Sequence, residues 1–113
     1  MHKSLTIVFA LGCALAASSA SAQDAAVVKR GQEVYTAQKC QTCHSVAGKG
    51  SKANPLDGAG AKLSADDIRN WITDPPAMTA KTKSTKKPPM PAKYGTLPAA
   101  DLDALVAYVS SLK

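Results

Sequence analysis

An uncharged apolar run, Leu5–Ala17, stands near the start of the chain, and beyond it apolar residues recur in helical spacings. Ala25–Ala37 predicts a first helix, with the Asp24 side chain accepting from its free backbone amides. Residues 47–62 are rich in Gly, Lys, Ser and Asn and read as loop. Ser64-Ala65-Asp66-Asp67 resembles a capping box, with Asp rather than Glu at its fourth position. Ile68, Trp71 and Ile72 follow at i, i+3 and i+4 and predict a short helix. Pro75-Pro76 is expected to end it, because proline removes a donor and crowds the preceding turn. Residues 77–93 hold five Lys and three Pro and read as loop. Pro98 suits a first helical turn, and Leu102, Leu105, Val106 and Val109 mark one face of a last helix. No alternating strand pattern and no repeat occurs. The expected fold is all-α, with three main helices in one domain.

The first apolar run is too short to span a bilayer. Lys3 precedes it and Ala20-Ser21-Ala22 follows, the layout of a signal peptide with a small-residue cleavage site. The expected organisation is therefore a signal peptide, 1–22, and a mature domain, 23–113. Two other readings compete: an uncleaved anchor, and a lipoprotein cut before Cys13, which Ala10-Leu11-Gly12-Cys13 matches loosely.

Cleavage changes the composition in a telling way. The whole chain has 14 basic and 8 acidic residues, a net charge of +6. Without Lys3 the mature chain carries +5, and it keeps only Cys40, Cys43 and His44 of its Cys and His, with no Phe. Ninety-one residues with so few large side chains bury little apolar surface. Small exported domains usually compensate with several disulfides or a metal, and two cysteines allow one disulfide at most. A large apolar cofactor would fill the middle.

Cys40-Gln41-Thr42-Cys43-His44 supplies the chemistry for one. Positions i, i+3 and i+4 share a helical face, so both thiols and the imidazole can address one planar ligand. The thiols can add to the two vinyl groups of haem, and His44 can coordinate the iron; this is the c-type haem attachment signature. Three rival readings fit the motif less well. A thioredoxin-like dithiol needs a βαβ pattern that is absent, and a zinc site needs a fourth ligand. A plain disulfide leaves the core unfilled. With one histidine, bis-histidine ligation within a monomer is impossible; the usual alternative is Met, and the mature chain offers Met78 and Met90.

The motif, behind a signal peptide and after an N-terminal helix, resembles that of the class I c-type cytochromes, and the likeness runs from about Val27 to Leu112. It implies three main helices packed around one covalent haem c, bound through Cys40 and Cys43, with His44 and Met90 as axial ligands. Met90 is favoured because the family places its ligand Met in the loop before the last helix, often as Met-Pro, as in Met90-Pro91. Gly31 and Tyr35 resemble the family's Gly-x-x-x-aromatic pattern, where the first and last helices cross closely, with Tyr108 as partner. Asn54-Pro55-Leu56 resembles the segment whose proline carbonyl accepts from the ligand histidine, which assigns the Pro55 carbonyl to His44 Nδ1. Trp71 stands where an aromatic often lies near the haem, and Pro75 matches the proline after that helix. The long, Lys-rich loop between Pro75 and Met90 departs from the pattern.

These features imply a one-electron carrier, not an enzyme; no catalytic constellation occurs in the sequence. Two alternatives stay open: a sensor or peroxidase-like domain with an open iron position, and a cytochrome subunit of a larger oxidoreductase. Lys81, Lys83, Lys86, Lys87 and Lys93 flank Met90, while Lys39, Lys49, Lys52 and Lys62 flank the attachment motif. Such a rim would steer acidic redox partners (an oxidase, reductase or dehydrogenase), unless it is merely a solvated charged loop. Export disfavours nucleic acid as a partner, and the mature form has no expected membrane span. The periplasm is the expected location.

Overall fold

The computed structural model describes residues 16–113, with side chains from Asp24 onward. Residues 1–15 of the expected signal peptide, Cys13 among them, lie outside the described residues. The elements are α1 (Ala16–Ala37), β1 (Ser45–Val46), β2 (Lys49–Gly50), α2 (Ala59–Lys62), α3 (Ala65–Thr73), α4 (Pro75–Thr82) and α5 (Ala99–Ser110). The 3-10 turns Cys40–Thr42 and Ala92–Thr96 complete them. No helix among the described residues is long and apolar enough to cross a membrane.

α1, α3 and α5 enclose the core: Val34, Tyr35, Ile68, Ile72, Leu105, Val106, Tyr108 and Val109 are all buried. α1 crosses α5 at Gly31. A methyl group there would overlap the Ala104 carbonyl oxygen and come within 2.6 Å of Tyr108 Cβ. The close approach stacks Tyr35 edge-on against Tyr108, centroids 5.5 Å apart and planes at 64°. The resemblance anticipated this contact. Arg30 on α1 donates from Nη2 to Asp101 Oδ1 at 3.0 Å, and Arg69 on α3 donates to Asp103 Oδ1 at 2.7 Å. Both pairs are solvent-exposed and add little to stability.

Local chemistry explains most boundaries. Ser64 Oγ accepts from the Asp67 amide at 3.1 Å, and Asp66 and Asp67 oppose the positive end of α3. Pro75 and Pro76 do end α3, but they also begin α4, where the first turn needs no donor. Asp74 accepts from the Ala77 amide at 3.3 Å, so residues expected as loop are helical through Thr82. The helix stops at Lys83, in the left-handed region at φ 54°. α1 runs from Ala16, so Asp24 lies inside the helix and does not cap it as expected.

The loop after the motif also holds structure that the pattern did not announce. Ala47 (φ 51°) and Gly48 (φ 78°) make a two-residue turn joining β1 to β2, and Asp57 Oδ1 accepts from the Ala47 amide at 2.8 Å. Gly60 on α2 packs so closely on Ser110 that a methyl group would overlap its carbonyl oxygen. Its amide donates to the Leu112 carbonyl at 2.8 Å.

Candidate haem-binding site

Lys39, at φ 57°, turns the chain out of α1. The next residues wind a tight turn: Cys43 and His44 amides both donate to the Cys40 carbonyl, at 3.2 and 3.0 Å. This compact turn realises the i, i+3, i+4 spacing of the motif. Cys40 is partly buried, Cys43 is exposed, and both are free thiols, so the disulfide reading is not what the fold builds. Burial pushes the Cys40 thiol up to about 11, partly opposed by its backbone hydrogen bond and by Lys93.

His44 is held by backbone. Immediately after it, Ser45 is 2% exposed, paired with Gly50 on one side and bridged to Pro55 in parallel on the other. The Leu56 amide donates to the Ser45 carbonyl at 2.8 Å. His44 Nδ1 lies 3.0 Å from the Asn54 carbonyl oxygen, which leaves Nε2 available for a metal. This corrects the assignment to the Pro55 carbonyl. Ser45 uses its own carbonyl in this parallel bridge, to the Leu56 amide, so on the other segment the groups beside Pro55 face it and the Pro55 carbonyl points away. Pro55 is the bridged residue, so the Asn54 oxygen faces His44. A role for the local segment was legible; its register was not.

These residues border a cavity of about 640 Å³, open on one side. Cys40, Cys43, His44, Pro55 and Met90 all line it, with an apolar lining of Leu56, Ile68, Ile72, Leu105 and Val109. Trp71 lines it too, partly buried on α3. Met90 is half-buried and packs against the core cluster. Met78 is 5% exposed, sits on α4 and does not border the cavity. Sequence reasoning passed over Tyr94, Thr79 and Ser84, which also line it; their polar character gave no sign of an inward position. Tyr35 lines it as well, and its enclosed hydroxyl has no hydrogen-bond partner among the described residues. Of the nine lysines expected around the site, Lys39, Lys86 and Lys93 border the cavity. Lys93 Nζ stands 5.3 Å from the Tyr94 ring centroid, and Lys81 instead reaches Asp67 at 3.8 Å.

The donor set fits haem and not a bare ion. Among the described residues no three His, Cys, Asp or Glu side chains converge on a metal-sized site. A volume in the range of small-ligand pockets, two unpaired thiols at its wall and one oriented imidazole suit a large planar ligand with its own iron. Fold and site thus define a small helical protein that binds haem covalently. The family model for cytochrome c matches residues 28–113, and the chain belongs to the cytochrome c family. Members carry haem c attached through cysteines, here Cys40 and Cys43, and use it to transfer electrons in company with redox partners. Comparison with solved structures gave no match.

Proposed function

We propose that the protein is an exported carrier of single electrons, with His44 and Met90 as the axial ligands of its haem iron. The observation that carries the ligand assignment is that Met90 borders the cavity with His44, whereas Met78 is packed away on α4. Haem iron supplies reversible one-electron chemistry when bound. The chain's own residues fix its setting. Cys40 and Cys43 anchor it, the Asn54 carbonyl orients the His44 ring, and the apolar wall keeps water away. Pro88, Pro89 and Pro91 stiffen the segment that presents the Met90 thioether, which lowers the entropy cost of holding a weak ligand. A thioether ligand and burial both favour the ferrous state and a high potential.

Export rests on the sequence of residues 1–22 and places the mature domain, 23–113, in the periplasm. Lys39, Lys86 and Lys93 at the cavity border give an acidic redox partner a complementary surface. Electron-transfer rates with such a partner fall steeply as salt rises; rates indifferent to salt would count against the basic rim.

The test is a visible spectrum of the holoprotein, oxidised and reduced, with and without carbon monoxide. The expected result is low-spin reduced bands, a weak far-red sulfur-to-iron band when oxidised, and no response to carbon monoxide. Met90→Ala removes the far-red band and admits carbon monoxide. Met78→Ala keeps the band and costs about 2–5 kcal/mol of stability, as for other buried methionines. A band lost in Met78→Ala instead would reverse the assignment.

A further inference from the structure

Residues 84–91, which present Met90, are thinly attached. Beyond a Ser84 amide bond back to Thr79 and a local contact between Lys86 N–H and Ser84 Oγ, one hydrogen bond joins them to the rest of the described residues. It is donated by Lys86 Nζ to the Ala53 carbonyl at 3.4 Å, across 33 positions of sequence. Its two ends matter. Lys86 lines the cavity four residues before Met90, and Ala53 immediately precedes Asn54, whose carbonyl holds His44. The bond therefore links the segment carrying one candidate ligand to the segment that orients the other.

The geometry points to Lys86 as a positioning residue that latches the Met90 loop to the His44 loop and holds the haem crevice shut. The inference rests on the Met90 assignment above. An ammonium suits the task, since its reach spans the gap and two further N–H donors remain for solvent or for a haem carboxylate. The other restraints on the loop are proline stiffness and the packing of Met90 against the core, and neither ties it to the His44 side. When the latch opens, Met90 is freer to leave the iron, and an outside ligand competes more easily. The affinity of such a ligand measures the population of the open form.

The test is a titration of the oxidised holoprotein with imidazole, followed through loss of the far-red sulfur-to-iron band. Lys86→Met is expected to raise the apparent imidazole affinity about two- to fivefold, as for the loss of one exposed charge-assisted hydrogen bond. Lys86→Arg, which keeps a donor, restores the parent value. Lys87→Met removes the same charge one residue along, where no hydrogen-bond partner occurs among the described residues, and leaves the affinity unchanged. Equal shifts in Lys86→Met and Lys87→Met, or none in either, would overturn the latch and leave Met90 ligation standing. A parent protein with no far-red band overturns both, and that result is seen before any variant is made.

Discussion

Replacing Gly31 by alanine is the sharpest test of how this fold is closed. The added methyl group would overlap the Ala104 carbonyl oxygen and stand 2.6 Å from Tyr108 Cβ. Neither obstacle can swing aside, since one is backbone and the other is the first carbon of a buried side chain. Restoring an ordinary contact of about 3.5 Å to the Ala104 oxygen moves α5 outward by roughly 1.5 Å and loosens Val34, Tyr35 and Leu105 from their neighbours. Overpacking of this kind costs about 1–3 kcal/mol, and a backbone obstacle puts it at or above the upper end. Alanine's better helix propensity returns about 1 kcal/mol. The net loss is about 2 kcal/mol, which lowers Tm by about 8–16 °C for a domain of this size. Thermal unfolding of the oxidised holoprotein, followed by far-ultraviolet circular dichroism, reads the effect. Gly48→Asn is the control: nothing lies within 4 Å of a Cβ there, and Asn tolerates its positive φ of 78°. A Gly31→Ala protein that melts with or above its parent would refute the close crossing.

Two further outcomes follow from the site. Tyr35 is 7% exposed, its hydroxyl has no hydrogen-bond partner among the described residues, and burial above all pushes its pKa up to about 12. Tyr35→Phe is therefore expected to be neutral or to stabilise by about 1 kcal/mol at neutral pH, and a loss of more than that in a denaturant titration would reveal a hidden partner. The parent resists ionisation only when folded, so its stability holds below pH 10 and falls as pH rises toward 12; the Phe variant lacks that loss, and the gap widens above pH 10. Asn54→Ala leaves the His44 Nδ1 hydrogen bond in place because the acceptor is a main-chain oxygen, and an unchanged proton-resonance position for that N–H checks it.

Much of the fold was legible because its determinants are local or compositional. Ile68, Trp71 and Ile72 fixed one face of α3, Ser64 fixed its start, and the Cys40–His44 spacing fixed the attachment turn. The poverty of large side chains correctly implied a hollow centre. What escaped depends on context. Pro75 and Pro76 are equally able to end one helix and begin the next, and Asp74, the residue that decides, gives no periodic signal. The β1–β2 hairpin is two residues a side, too short to show alternation. The acceptor for His44 turned on a one-residue register between Ser45 and Pro55, which only long-range pairing sets.

The backbone pairing on both sides of Ser45 has a consequence for how this protein can change. The direction of the metal-facing ring is written in peptide groups, not in side chains, from Ser45 to Leu56. Most side chains of that loop, Lys49 and Lys52 included, are thus open to rewriting, and a lineage or a designer could recast the face shown to other proteins while leaving the redox centre as it was. Gly50 is an exception, beside the buried Ser45 and the cavity-lining Pro55 and Leu56: any Cβ there would collide with the His44 carbonyl, so one glycine guards what the exposed residues are free to vary around.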